Sequence, residues 1–232
     1  VETVTLTETG ANTGIFMGSI TFAEASASSG DGVLQVTRGD KLTGTYVDPT
    51  DDFGNQQTLT DVAFYGVTLT TGSISSSTSW TTSGSPYLVT GDVTVESDVT
   101  LTIDPGVQVR FVDISDDQSS GQDINRSEII VQGIVRAIGT VTDSIIFTSN
   151  AETPAAGDWF GIKSYDSGSK VFLKYCRVEY HTYGIHFGGT NYSFTDTLLV
   201  EHSLLRDGGT GLYQPSWQGN YRPIFFNYNV VQ

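Results

Sequence analysis

The sequence predicts an all-β protein whose larger part is a parallel β-helix, and three observations carry that expectation. Thr, Val, Ile, Tyr and Phe dominate the ordered-looking stretches, and these are residues that suit a pleated, half-buried surface. No window places apolar residues at i, i+3, i+4 and i+7, so helical periodicity is missing. Near the C-terminus the chain repeats itself: Leu173-Lys-Tyr-Cys176-Arg-Val178 aligns with Val200-Glu-His-Ser203-Leu-Leu205 and again with Phe226-Asn-Tyr-Asn229-Val-Val231. The copies are 27 and then 26 positions apart, and Gly184-Ile185 falls on Gly211-Leu212 at the first spacing. A period of that size in strand-rich sequence predicts a solenoid whose rungs stack in register.

Along the chain, residues 1–70 alternate in strand fashion, as in Val4-Thr5-Leu6 and Leu34-Gln35-Val36, with turns at Gly10-Ala11-Asn12, Gly30-Asp31-Gly32 and Gly39-Asp40. Residues 71–79 are a polar Ser/Thr run that reads as a linker. Residues 80–232 carry short period-2 strands at Val93–Val95, Val99–Ile103, Val107–Phe111, Ile129–Val131, Val135–Ala137 and Ile145–Phe147. Glu96-Ser97-Asp98 and Asp104-Pro105-Gly106 supply turns between them. In-register stacking predicts one ladder of Cys176, Ser203 and Asn229, and a core-facing ladder of Leu173, Val200 and Phe226. Cys176, the single cysteine, is then a small buried filler and no internal disulfide forms.

The charge balance is 11 Lys+Arg against 26 Asp+Glu, a net −15. Such a surface repels nucleic acid and anionic lipid, which are bound through cations. No apolar run reaches the length of a membrane span. Acidity also attracts cations. Asp48, Asp51 and Asp52 in one turn, and Asp113, Asp116, Asp117 and Asp123 in a longer loop, offer hard oxygen ligands of the kind calcium takes.

Two stretches resemble known families. Ser85–Phe111, followed by Ile145–Ser149, Gly157–Ile162 and Tyr175–Tyr180, resembles right-handed parallel β-helix domains of prokaryotic secreted proteins. Leu6–Ile20 with Gly39–Asp48 resembles an immunoglobulin-like β-sandwich module used as a spacer in prokaryotic cell-surface proteins. That module normally has further strands before the point where this chain begins, and the β-helix stops in mid-rung at Gln232. The expectation is a segment of a longer protein, or a subunit whose open edges are completed by copies of itself through strand addition or end-to-end stacking.

Candidate chemistry is sparse. Enzymatic β-helices cleave pectin with paired carboxylates, or with an Arg or Lys base beside calcium ligands. Here Asp116 and Asp117 read as loop residues with no basic residue behind them, and no residue stands out as catalytic. His181, His186 and His202 lie near Glu179, Glu201 and Asp207, and read as solvent-facing. Arg38-Gly39-Asp40 coincides with a turn and reads as chance. Asn125-Arg-Ser127 and Asn191-Tyr-Ser193 fit the glycosylation pattern. Tyr183, Tyr192, Tyr213 and Trp217 offer flat rings for a sugar or a neighbouring subunit. The functional expectation is a non-catalytic structural or adhesive protein of the cell surface, with a polysaccharide-binding or polysaccharide-cleaving β-helix as the rival.

Overall fold

The computed structural model describes residues 1–11, 13–49, 53–164, 168–188, 196–214 and 224–232. The chain divides into two units, Val1–Gly66 and Val67–Gln232. The described residues are all-β, without a helix.

In the first unit, β1 (Thr7–Glu8) pairs antiparallel with β2 (Phe16–Met17), β3 (Thr21–Ala23) pairs parallel with β4 (Val33–Gln35), and β5 (Lys41–Asp48) pairs antiparallel with β6 (Gln57–Phe64). Val36 is the one apolar residue buried among those described here, while Phe16, Met17, Leu59 and Val62 are exposed. Phe22 meets Tyr65 with ring centroids 5.6 Å apart. These are three separate two-stranded sheets, and the packed immunoglobulin-like sandwich is not assembled among the described residues. Alternation specifies a pleat but not a partner. A two-stranded ribbon has no second sheet against which to bury its apolar face.

The second unit is a parallel β-helix. Its first rungs hold β7 (Thr68–Ile74), β8 (Thr78–Trp80) and β9 (Tyr87–Val95), then β10 (Thr100–Ile103), β11 (Gln108–Phe111) and β12 (Glu128–Val131). Next come β13 (Ile134–Ile138), β14 (Ile145–Ser149) and β15 (Gly161–Ser164), followed by β16 (Lys170–Lys174), β17 (Cys176–Glu179) and β18 (Tyr183–Phe187). The last are β19 (Thr197–Glu201), β20 (Leu204–Arg206), β21 (Thr210–Tyr213), β22 (Ile224–Asn227) and β23 (Val230–Val231). Strands β8, β10, β13, β16, β19 and β22 stack in parallel as one column. The others form two further columns, joined because β9 is long enough to pair with β11 through Tyr87–Val89 and with β12 through Val93–Val95.

Residues 71–79 are therefore not a linker. Thr68–Ile74 pairs in parallel with β9, and Thr78–Trp80 pairs with β10. The Ser/Thr composition hides this because an edge rung has little apolar area to bury, and backbone pairing asks nothing of the side chains. Elsewhere the strand alternation holds: Leu101, Ile103, Val109, Phe111, Phe147, Ile162, Leu173, Val178, Ile185 and Val200 are fully buried in one continuous core. Each such side chain contributes about 1.5–3 kcal/mol by leaving water. The repeat is in register as spaced, with Leu173 on Val200 and Val200 on Phe226. Beside it, the Cys176 N–H donates to Ser203 Oγ at 3.0 Å and the Ser203 N–H to Asn229 Oδ1 at 2.9 Å. Asn229 Nδ2 closes the ladder on the Val200 carbonyl at 2.8 Å.

Candidate functional site

The column formed by the second half of β9 with β12, β15, β18 and β21 collects most of the chemistry. Its strands bury Val93, Val95, Ile129, Val131, Ile162 and Ile185, so the alternate residues Asp92, Thr94, Glu128, Ile130, Lys163 and His186 are directed away from the core. Register stacks Thr94, Ile130, Lys163, His186 and Tyr213 one above the next. Asp92 and Glu128 sit on adjacent rungs, and the Glu128 N–H donates to Asp92 Oδ1 at 3.0 Å.

Four polar or charged groups of this outward set are nonetheless hidden: Asp92 and Glu128 are 0 % exposed, Lys163 4 % and His186 9 %. Over the two carboxylates lies loop 112–127, which joins β11 to β12. Ser120 Oγ donates to Asp92 Oδ2 at 2.7 Å, and the Gln122 N–H donates to Glu128 Oε1. Gly121 has a φ of +68°, and a Cβ there would collide with Glu128 Oε1 and Asp92 Oδ2. Only glycine gives this backbone both its left-handed conformation and its close approach to the carboxylates. Burial first, and then the Asp92 charge among the raising influences, pushes the Glu128 carboxyl up to about 7, while Lys163 acts the other way. Asp92 is raised as well, chiefly by burial. Among the described residues, Glu128 Oε2 and Ser127 Oγ have no hydrogen-bond partner.

The structure places the acidic residues expected to bind calcium as follows. Asp116 accepts the N–H groups of Asp92, Gln118 and Ser120. Asp117 accepts the hydroxyls of Thr71 at 2.9 Å and Thr90 at 2.7 Å. Asp123 pairs with Arg126 at 2.8 Å and caps the Asn125 N–H. Asp113 is exposed, and Asp48 ends β5 in the other unit. Asp51 and Asp52 lie outside the described residues. No three His, Cys, Asp or Glu side chains converge on one point among the described residues. Asp116, Asp117 and Asp123 are thus engaged in folding the loop, which also lines a depression of about 540 Å³ with Ile114, Ser115, Asp116, Ser119, Ile124, Asn125 and Arg126. The sheet beneath this loop also carries Lys163, whose charge is felt by Glu128.

His181 and His186 are buried, not solvent-facing, and burial lowers each to about 4. Among the described residues, neither His181 ring nitrogen has a hydrogen-bond partner. His202 is exposed and stacks between Tyr175 and Tyr228, at 5.0 Å from each. Tyr183 and Tyr213 come together at 4.9 Å, with His186 4.9 Å from Tyr213 and Phe160 5.5 Å from Tyr183. Tyr192, Trp217 and Asn191 lie outside the described residues. Asn125 is exposed but its partner Ser127 is buried, so the sequon is half hidden once the loop is folded. Asp92, Glu128 and Lys163 escape a reading of the sequence because their meeting depends on rung register. The available signal is a charged residue inside each apolar strand run, as in Gly91-Asp-Val93 and Glu128-Ile-Ile-Val131.

No curated protein and no solved structure matches the chain. Residues 72–169, from β7 to the start of β16, match the family described as a pectate-lyase-like β-helix domain.

Proposed function

We propose that the chain is a non-catalytic structural or adhesive part of an extracellular surface protein, in which the parallel β-helix is a rigid carrier. The observation that supports this best is the fate of the acidic loop, whose Asp116 and Asp117 carboxylates are engaged by backbone N–H groups and threonine hydroxyls. A hydrolytic pair would present its carboxyl groups to an open cleft. In this reading the net charge of −15 keeps a sheet-rich surface soluble, and the first unit is a spacer. The partners are copies of the chain, adjoining domains of a longer one, or a polysaccharide matrix of a prokaryotic surface. Negative-stain electron microscopy of the purified chain tests it: rods or end-to-end oligomers are expected. Dispersed monomers that depolymerise an acidic glycan would sink it.

A second reading has its own support. Lys163 lies on the same sheet as Glu128 and Asp92, next to the Tyr183–Tyr213 ring pair, within or adjoining the stretch that matches a pectate-lyase-like domain. This favours polysaccharide binding or cleavage on that face. Incubation with polygalacturonate and other acidic glycans, read by ultraviolet absorbance of unsaturated products and by isothermal titration, separates the two. Product formation lost in Lys163→Met supports cleavage, binding without product supports adhesion to glycan, and neither leaves the scaffold reading.

A further inference from the structure

We propose that loop 112–127 is a proton-gated cover, closed while the buried Asp92–Glu128 pair holds one proton and loosened when that proton is lost. The inference stands whichever function the β-helix serves, because it rests on how the loop is fastened. Two contacts fix its middle to the two carboxylates, Ser120 Oγ to Asp92 Oδ2 and the Gln122 N–H to Glu128 Oε1, and Asp116 Oδ1 accepts the Asp92 backbone N–H at 3.3 Å. Thr71 and Thr90 hold its near end through Asp117, and Gln118 Nε2 donates to the Asp92 carbonyl at 2.6 Å. The far end returns through the Ser127 N–H, which donates to the Ser115 carbonyl at 3.0 Å.

Two fully buried carboxyl groups on adjacent rungs cannot both ionise without a large penalty. The charged groups that act on the pair come from three elements. From β9 comes Asp92, and from β15 comes Lys163, a cation that acts on Glu128. From the loop, Asp116 and Asp117 add negative charge that Asp92 feels, and the backbone at Gln122 and Asp123 donates to Glu128. Glu128 Oε2 has no hydrogen-bond partner among the described residues, so no loop donor compensates a charge on that oxygen. Lifting the loop readmits water to both carboxylates and removes the penalty. The closed form therefore binds the proton more tightly than the open one, and deprotonation favours opening.

The sign follows from linkage. In the open loop Glu128 has its ordinary value of 4.5, and in the closed loop about 7. Closure is unopposed below the first value, weakens as pH rises between the two, and is weakest above the second. Hydrogen exchange followed by mass spectrometry on the full chain, with rates corrected for intrinsic pH dependence, reads this directly. Peptides covering 112–127 are expected to lose protection on the order of 30-fold between pH 5.5 and 8, as that displacement of one carboxyl requires. Peptides covering β16 and β19 serve as the internal control and stay unchanged. Glu128→Gln, neutral at every pH, is expected to keep the loop closed at pH 8. Ser120→Ala, which keeps Glu128, is expected to loosen the loop at both pH values while preserving the pH ratio. Equal protection at pH 5.5 and 8 would overturn the proposal, as would an unchanged pH ratio in Glu128→Gln. Restored closure at pH 8 on adding calcium, reversed by a chelator, would also overturn it, because the pair would then be a cation site.

Discussion

Tyr175, His202 and Tyr228 each occupy the left-handed backbone region, at φ of 50°, 50° and 56°, where a bulky side chain costs roughly 1–2 kcal/mol. They sit at the same corner of successive rungs, and their rings stack 5.0 Å apart. Ring stacking contributes about 0.5–1.5 kcal/mol per pair, and the two pairs offset part of that strain. The kink also turns the next residue inward, which is how Cys176, Ser203 and Asn229 come to share a ladder. Ser203 accepts from the Cys176 N–H and donates to the Glu201 carbonyl at 2.9 Å. Ser203→Ala leaves that buried N–H unpaired and is expected to lower unfolding free energy by about 1–3 kcal/mol, measured by urea titration. In the same experiment the Cys176 thiol, pushed up to about 12 by burial, stays unreactive to a thiol reagent until the unfolding transition.

Among the elements, the strands of the β-helix are legible in the sequence wherever apolar residues alternate, because alternation is what a half-buried strand demands. The 27-residue spacing by itself determines which residues share a ladder, and Cys176 over Ser203 is the plainest case. What the sequence conceals has physical causes. The polar rung at 71–79 pairs through backbone alone. Trp159 lies outside the named strands, yet it stacks on Phe111 at 3.8 Å and donates its indole N–H to the Glu179 carbonyl at 2.8 Å. It ties the corner before β15 to the core between two rungs. Trp159→Ala is expected to cost about 3–5 kcal/mol, read as a lower urea midpoint, far more than any exposed Tyr substitution. The candidate site is the least legible part. Asp92 and Glu128 are far apart in sequence, and only the height of a rung and the fold of loop 112–127 bring them together.

For the whole molecule, the buried titratable groups set opposing slopes of stability against pH. His181 and His186 fall from 6.5 to about 4 on folding, so the unfolded chain takes up their protons first as pH drops. Each contributes up to about 3 kcal/mol that is present above its unfolded value and lost towards the folded one. Glu128 runs the other way, its contribution being lost between 4.5 and about 7. Two histidines outweigh one glutamate, so thermal midpoints are expected to climb from about pH 4.5 to a maximum near 6.5 and to decline slightly above it. His186→Phe, an apolar ring of similar size, is expected to flatten the acid limb, because the one remaining buried histidine is then balanced by Glu128. An acid limb as steep as the parent's would show that His186 is not the group responsible.

The parallel columns have a mechanical consequence. Strands of the β-helix pair with the rungs on either side of them, so their hydrogen bonds run along the axis of the solenoid. Tension applied to one end of the chain meets those bonds one after another, as in the opening of a zip, and the load never falls on a whole sheet at once. Adjacent rungs are about 4.8 Å apart, but a rung of this length releases roughly 90 Å of extended chain when it peels away. Such a tether gives way in small steps of force and long steps of length, and it spares the rungs beneath the one that has opened.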